Sequence, residues 1–339
     1  MDRRSFLAAA LGGAFGGVLS LPQHAFGETS TVRISHGYGI LYLPLMVMRD
    51  QQLLEKQAKA DGLGDIKVSW IDIDGGNVIN DAMLAGSLDI AGTGAPGFIT
   101  LWSKARGIPR SEIIGLGALS TSALWMNTTD PKITSLADFT SRDKIALPGV
   151  KTSLSAVVLE MAVAKVFGIQ NYAKLDPLTV GLSHPDAMAA LLSGKTDITA
   201  HFTSPPFSYQ ELEDPRVHRV FSSAEILGNI TLDVVYSLKQ FVDRNPQLIR
   251  AFMTAQNQAN AYIAANRVGA AETFLRISKI DTPKSLVEKI LADPDTRFST
   301  TPNGVMKYVD FMSRAGLINN FPRKWTDMFV SELSHRTGS

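Results

Sequence analysis

The sequence predicts an α/β protein built from two similar lobes, and three observations support this fold class. Short apolar runs typical of strands alternate with stretches of helical periodicity. The same order of elements occurs twice along the chain. The length of 339 residues also exceeds what a single hydrophobic core usually serves.

The first unit has the order strand, helix, strand, helix, strand. Its strands are predicted at 31–35, 66–73 and 88–92. Its helices are predicted at 44–60, with Pro44 in the first turn, and at 77–86, where Gly86 ends the helix. This βαβαβ order predicts a mainly parallel sheet with helices packed on both faces.

The second unit follows the same plan. Its strands are predicted at 143–149, 175–182 and 196–202, and its helices at 152–168 and 185–194. Thr152 or Ser153 is expected to cap the first of these helices, and Gly168 to end it.

The two units align with each other at a shift of 108 residues. The identities under this shift pair Leu84, Gly86, Asp89 and Ile90 with Leu192, Gly194, Asp197 and Ile198. Matched element order together with these identities indicates two α/β lobes of common plan.

Two extended apolar segments are predicted to connect the lobes. They lie at 118–127 and 230–238 and can cross between the lobes as hinge strands. We expect lobe 1 to comprise 28–122 plus 237–339, and lobe 2 to comprise 123–236. The tail begins with a long helix at Pro246, for which Asn245 is the predicted N-cap.

Residues 1–27 have the features of an export signal. Arg3 and Arg4 precede an apolar, glycine-rich run, and small residues follow it at Ala25 and Gly27. The segment is similar to a twin-arginine signal, although ordinary Sec export is an alternative. The run is shorter than a membrane span requires. We therefore expect cleavage near Glu28 and a periplasmic protein.

Composition excludes several classes of protein. The hydrophobic content of 45% and charged content of 19% are those of a globular chain. The formal net charge is +1, and the residues after position 27 are neutral overall, so no nucleic-acid footprint is present. The absence of cysteine excludes disulfides and thiolate metal sites.

No catalytic motif is recognisable, and no catalytic residues are expected. The glycines of "GTGAPG" follow a strand but lack the acidic partner of a dinucleotide site. His36, His184 and His201 fall just past predicted strand ends, where ligands bind in open α/β sheets. A metal site at these histidines is an alternative, but their spacing matches no known metal motif.

Candidate binding residues lie in loops that precede predicted helices. Helix N-termini offer free N–H groups and partial positive charge, which suits a small anion or polar group. Ordinary helix capping explains the same residue types. Few arginines lie near, so a dianion such as sulfate is disfavoured. The candidates are Gly37, Tyr38, Gly76, Asn77, Thr93, Gly94, Trp125, Thr152, Ser153, His184, His201, Phe202, Thr203 and Ser204.

The chain resembles the solute-binding proteins of ABC importers, in the nitrate, sulfonate and taurine group. The resemblance lies in "AMLAGSLDIAGTGAP", "DAMAALLSGKTDITAHF", the stretch from Ile133 to Ile169 and "FVDRNPQLIRAFMTAQNQANAYI". It implies a periplasmic binding protein fold of type II, with two Rossmann-like lobes that close over a ligand in the cleft between them.

The resemblance also implies a function. It suggests a monomer that captures a small organic anion (a sulfonate, a taurine-like compound, nitrate or a carboxylate) without cofactor or metal. The partners would be the permease and ATPase subunits of an importer. Alternatives are a binder of thiamine-pyrimidine-type or aromatic compounds, a histidine-dependent metal receptor or enzyme on the same fold, and a sensor subunit.

Overall fold

A computed structural model describes residues 28–73 and 75–339. The predicted export segment, residues 1–27, lies outside the described residues. The strands are β1 Thr31–His36, β2 Lys67–Asp72, β3 Ile90–Gly94, β4 Ile113–Thr121, β5 Trp125–Thr128, β6 Ile145–Leu147, β7 Thr179–Gly181, β8 Ala200–Thr203, β9 His218–Ser222, β10 Thr231–Leu238 and β11 Arg297–Phe298.

Helices account for about half of the remaining described chain. They are α1 Leu43–Gln51, α2 Leu53–Ala60, α3 Gly76–Leu84, α4 Ala95–Ala105, α5 Leu154–Phe167, α6 His184–Ser193, α7 Phe207–Glu211, α8 Ala224–Leu227, α9 Lys239–Arg244, α10 Pro246–Ala265, α11 Arg267–Ser278, α12 Lys284–Ala292 and α13 Val305–Arg314.

Two sheets form the framework, as the repeated pattern predicts. The first has the order β11-β4-β10-β3-β1-β2, and the second has the order β7-β6-β8-β5-β9. In each sheet the three strands of the repeated unit are parallel, and the remaining strands are antiparallel to their neighbours. The α/β fold class with two sheets is therefore confirmed. We refer to the parts built on the first and second sheets as lobe 1 and lobe 2.

The internal repeat has a clear structural counterpart. Helices α3 and α6 begin 108 residues apart, and each is followed by a residue of the left-handed region. Gly86 has φ 70° and Gly194 has φ 60°, values that favour glycine because it lacks a Cβ atom. The helix stop that the sequence repeats is thus the same chain reversal in both lobes.

Two segments connect the lobes. Strand β4 of the first sheet leads through residues 122–124 into β5 of the second, and residues 223–230 lead from β9 back to β10. All of β10 pairs within the first sheet. We therefore propose that the second crossing precedes Thr231, and that the predicted boundary at 236/237 lies too far along the chain.

Two helix starts differ from the predictions. The helix predicted at 44–60 is interrupted at Gln52, whose φ of 51° separates α1 from α2. Asn245 lies at the N-cap of α10, but its side chain caps no helix N–H. The carboxylate of Glu28 does so, because it accepts hydrogen bonds from the amides of Gln247 at 2.8 Å and Leu248 at 2.7 Å.

The predicted cap of α5 is present, and the helix carries an unusual buried acid. Ser153 Oγ accepts a hydrogen bond from Ala156 N at 3.1 Å, and Gly168 ends the helix. Glu160, in the middle of the same helix, is 2% exposed, and its Oε2 has no hydrogen-bond partner among the described residues. Burial raises the pKa of Glu160 to about 8, and the nearby carboxylate of Asp176 acts in the same direction.

No helix in the described part of the chain combines the length and apolar character that crossing a membrane requires.

The buried acid predicts how stability depends on pH. Because the pKa of Glu160 is about 8 in the fold and 4.5 as its ordinary value, the folded state holds an extra proton between these pH values. Stability should therefore fall as pH rises through this window, by up to roughly 5 kcal/mol. Glu160→Gln should remove most of this slope, so that denaturant unfolding shows the variant more stable than the parent at pH 9.

The control is Glu213→Gln, which changes an exposed carboxylate and should leave the parent's slope intact. Parallel pH profiles for the parent and Glu160→Gln would show that Glu160 is ionised in the folded protein.

Candidate functional site

A cavity lies between the two lobes. It has a volume of about 40 Å³, which is room for a few water molecules. Its walls come from the carboxyl ends of strands and from the loops that follow them. The described residues that line it are Tyr38, Leu41, Tyr42, Gly75, Gly76, Ile79, Thr93, Gly94, Gly97, Leu124, Pro148, Thr152, Ser153, Leu154, Ser155, His184, Ser204 and Asp233.

Four helices begin at this cavity, two from each lobe. Helices α3 and α4 of lobe 1 start there without a side-chain cap on their first amides. Helices α5 and α6 of lobe 2 start there with serine caps, Ser153 and Ser183. Helix N-termini carry partial positive charge and unpaired N–H groups, so their convergence creates a site for a small electronegative group.

Glycines allow the two lobes to approach each other closely around the cavity. A Cβ atom at Gly94 of lobe 1 would lie 2.7 Å from Leu154 Cβ of lobe 2. A Cβ at Gly39 would lie 3.0 Å from the carbonyl oxygen of Pro205, which also accepts a hydrogen bond from Ile40 N at 3.2 Å. The main chains of the two lobes therefore come close together across the cleft, and an added Cβ would require a shift at Gly94 and a smaller adjustment at Gly39.

Neutral polar groups dominate the wall of the cavity. Thr93 and Ser204 are buried, and the buried Oγ1 of Thr152 has no hydrogen-bond partner among the described residues. The lining residues include no lysine or arginine. The one carboxylate among them is that of Asp233 on β10, whose Oδ2 lies 3.3 Å from Ser120 Oγ. The cavity thus presents donors without a side-chain cation.

Aromatic rings form the lobe 1 side of the entrance. Tyr38 is half-buried and Tyr42 is buried, and both line the cavity. Gly37 does not reach the cavity, but a Cβ there would lie 2.7 Å from the Tyr42 ring. The small residue at this position therefore makes room for the Tyr42 ring.

His184 supplies an imidazole to the lobe 2 side. Its Nδ1 lies 2.9 Å from His201 Nε2 and 3.1 Å from Thr203 Oγ1. Burial lowers the pKa of His184 well below its ordinary value, and the neighbouring His201 lowers it further. His184 is therefore neutral in the fold, and its ring stacks on Phe207 at a centroid distance of 5.5 Å.

The structure brings most of the predicted site residues to the cavity and leaves the others outside it. Those that line it are Tyr38, Gly76, Thr93, Gly94, Thr152, Ser153, His184 and Ser204. Those that do not are Gly37, Asn77, Trp125, His201, Phe202 and Thr203. His201 and Thr203 lie directly behind the wall, where both contact His184.

Strand alternation explains why Phe202 does not line the cavity. Successive side chains of a strand point to opposite faces of the sheet. Phe202 therefore points away from His201 and Thr203, into the core, where it packs against Phe221 at 5.1 Å between ring centroids. The expectation that Phe202 faces a ligand in the cleft is not met by its position.

Trp125 also lies away from the cleft. Its ring stacks on Tyr209 of α7 at 4.3 Å between centroids, and the guanidinium of Arg219 lies over it. These side chains line a separate surface depression. Asn77 is exposed on the first turn of α3, so only its backbone lies close to the cavity.

The three histidines considered as a metal set do not come together. His36 is buried in lobe 1 at the end of β1. Its Nδ1 lies 3.0 Å from the Gly37 carbonyl oxygen, and its Nε2 lies 3.2 Å from an Asp72 carboxylate oxygen. His184 and His201 contact each other in lobe 2. Within the described ranges no cluster of three or more His, Asp or Glu side chains is suited to hold a metal ion.

Asp233 is the charged lining residue that sequence reasoning missed. It stands in the middle of the apolar run "ITLDVVYSL", which was read as a crossing segment. An acidic residue inside an otherwise apolar, central strand is the signal that could have identified it, because such a group is buried only with a polar role.

Comparison with known proteins gives a consistent result. The model of the NMT1/THI5-like family matches residues 64–270. A search of curated protein sequences found no significant match. Among solved structures, the alkanesulfonate-binding protein SsuA of Xanthomonas axonopodis pv. citri, bound to MOPS, has a TM-score of 0.67 at 19% identity, and the match covers 86% of this chain and 96% of that one.

Two further solved structures show the same fold. The periplasmic aliphatic sulphonate-binding protein SsuA of Escherichia coli has a TM-score of 0.64 at 18% identity, over 89% of this chain and 99% of that one. The periplasmic nitrate-binding protein NrtA of Synechocystis PCC 6803 has a TM-score of 0.67 at 14% identity, over 89% and 84% respectively. The chain therefore has the periplasmic binding protein fold.

The glycine-lined approach of the lobes can be tested with a single methyl group. Gly94→Ala would bring a Cβ to 2.7 Å from Leu154 Cβ, an atom too close to the backbone to move alone. Relieving such overlap typically costs about 1–3 kcal/mol. We expect the variant to hold the lobes apart and to show a larger radius of gyration than the parent in small-angle X-ray scattering.

Gly181→Ala is the matched control, since nothing lies within 4 Å of a Cβ atom there. An unchanged radius of gyration for Gly94→Ala, with parent-like stability, would mean that the lobes do not depend on this contact.

Proposed function

The chain belongs to the NMT1/THI5-like family, and from this premise we propose that it is the substrate-binding component of an ABC importer. In this role it captures a small organic anion, such as a sulfonate, a taurine-like compound, nitrate or a carboxylate, as its two lobes close. The protein acts as a binding protein without chemistry of its own.

The convergence of four helix N-termini on one cavity is the observation that carries this proposal. Helices α3, α4, α5 and α6 bring partial positive charge to a site that contains no lysine or arginine side chain. Such a site favours an anion of low charge density, because a fully desolvated dianion needs charged partners. The unpartnered hydroxyl of Thr152 supplies a further donor.

Asp233 narrows the choice within this ligand class. Its carboxylate lines the same cavity as the helix N-termini. A ligand that carries both an anionic group and an ammonium group matches the charges of the helix N-termini and of this carboxylate. We therefore favour a taurine-like zwitterion over a simple anion, and Tyr38 and Tyr42 offer surfaces for the organic part.

The solved structures agree with this class of ligand, since two of those with the same fold are sulfonate-binding proteins and one binds nitrate. A metal receptor or an enzyme is less well supported, because the three histidines do not form one cluster in the described part of the chain.

The proposal includes location and partners. Residues 1–27 direct export through the twin-arginine or Sec route, with cleavage near Glu28, and the mature protein functions as a monomer in the periplasm. The closed lobes then deliver the ligand to the permease of the importer, whose ATPase subunits drive transport.

A thermal-shift screen tests the proposed ligand class. Taurine, ethanesulfonate, nitrate, acetate and a thiamine-pyrimidine compound would be compared at high concentration. A true ligand at 100 times its Kd adds about 2.7 kcal/mol of stability. We expect taurine to stabilise the protein more than ethanesulfonate, which lacks the amine. Stabilisation by the pyrimidine alone would contradict the proposed anion.

The variant Thr152→Val tests whether that ligand binds in the cavity. The hydroxyl of Thr152 has no partner among the described residues, so its removal should leave the melting temperature unchanged. Loss of a hydrogen bond to the ligand should weaken binding by about 1–3 kcal/mol in calorimetric titration. The matched control is Thr326→Val, which removes another unpartnered buried hydroxyl far along the chain from the cavity. Equal affinity of Thr152→Val and the parent would place the ligand elsewhere.

The export route can be tested separately. Replacing Arg3 and Arg4 together with lysine keeps the charge but removes the twin-arginine pattern. If the twin-arginine route is used, the precursor should remain in the cytoplasm, as judged by cell fractionation and immunoblotting. An unchanged periplasmic yield would indicate Sec export.

A further inference from the structure

A chain of buried polar side chains extends from the cavity wall into lobe 2. His184 Nδ1 lies 2.9 Å from His201 Nε2, and His201 Nδ1 lies 2.5 Å from Glu211 Oε1. Asn127 Nδ2 donates a hydrogen bond to Glu211 Oε2 at 2.9 Å. Glu211, His201 and Asn127 are all fully buried.

The charge of this chain is constrained by its burial. Among the described residues, the hydrogen-bond partners of the Glu211 carboxylate are His201 and Asn127, and no lysine or arginine forms an ion pair with it. A buried carboxylate beside a neutral imidazole would leave one uncompensated charge in the interior, which is strongly unfavourable. An additional proton held by Glu211 and His201 together would remove this uncompensated charge.

That additional proton determines where His201 carries hydrogen. If the proton is on the imidazole, both ring nitrogens of His201 are protonated. If it is on Glu211, the carboxylic acid donates to Nδ1 of a neutral imidazole, whose own hydrogen is then on Nε2. In both arrangements His201 Nε2 carries a hydrogen, and it donates to His184 Nδ1.

His184 must then accept at Nδ1. Because this imidazole is neutral, its single hydrogen is on Nε2. Thr203 Oγ1, 3.1 Å from the same Nδ1, also lies 3.4 Å from the Ser204 carbonyl oxygen, to which it donates. Nε2 has no hydrogen-bond partner among the described residues, and His184 lines the cavity.

We propose that Glu211 acts through His201 as a positioning residue that fixes His184 in the Nε2–H form, so that lobe 2 presents a hydrogen-bond donor to an anionic oxygen of the ligand. The inference deepens the proposed function and rests on it for the ligand. The proton arrangement itself follows from the protein alone. Without the buried acid, His184 could equally offer a lone pair, which would repel the same oxygen.

The proton positions can be measured without any ligand. Long-range ¹H–¹⁵N correlation spectra of protein labelled at the histidine nitrogens distinguish protonated from unprotonated ring nitrogens. His218 supplies an internal reference. Its Nε2 lies 2.9 Å from the Ile133 carbonyl oxygen, which only accepts, so His218 reports the Nε2–H form.

We expect the His184 signals to match the His218 pattern, with assignments made from His184→Gln and His201→Gln. A pattern with the hydrogen of His184 on Nδ1 would overturn the proposal whatever the ligand proves to be.

Variants of Glu211 then test its control over His184. Glu211→Gln can donate to His201 Nδ1 and accept from Asn127, so the His184 pattern should be retained and the affinity for taurine should change less than threefold. Glu211→Met can do neither, so the pattern should be lost and the affinity should fall about tenfold. Glu213→Met, at an exposed position two residues away, is the matched control.

Retention of the parent His184 pattern in folded Glu211→Met would overturn the positioning role of Glu211. If the parent protein binds no taurine, the ligand class of the proposed function is wrong, and the ligand-free spectra of the parent still decide the protonation of His184.

Discussion

The candidate site depends on how closely the backbones of the two lobes can approach. A β-carbon would lie 2.7 Å from Leu154 Cβ at Gly94 and 3.0 Å from the Pro205 carbonyl oxygen at Gly39. Because backbone meets backbone there, helices α3 and α4 of one lobe and α5 and α6 of the other begin at the same small volume. Four weak positive poles then act together on one site, without the desolvation cost of a buried lysine or arginine. The electrostatics of the cavity are thus a consequence of packing.

Two buried glutamates in lobe 2 show how differently the fold treats one residue type. Glu211 is held by His201 and Asn127, so its burial organises a polar chain that reaches the cavity. Glu160 has an oxygen without a partner, and burial shifts its pKa to about 8. The first acid belongs to a hydrogen-bonded network, whereas the second is kept neutral by its raised pKa and lowers the stability of the fold as pH rises.

The sequence predicts the order of strands and helices well, because periodicity and glycine stops such as Gly86 and Gly194 act locally. The candidate loops follow from strand ends in the same way. The identity of the side chains that reach the cavity does not follow from such local patterns. Phe202 and His201 are adjacent in sequence but point to opposite faces of the sheet. Asp233 is distant in sequence from the loops with which it lines the cavity. The cap of α10 by Glu28 is equally non-local, because Glu28 is far from α10 in sequence and reaches it only in the folded chain.

The capping of α10 by Glu28 has a consequence for the life of the precursor. The contact uses the side-chain carboxylate, so it does not require a free amino terminus. If residues 1–27 are removed as proposed, the same helix start is available to the chain before and after cleavage. Folding would then not have to wait for maturation, as an export route that carries folded proteins would require.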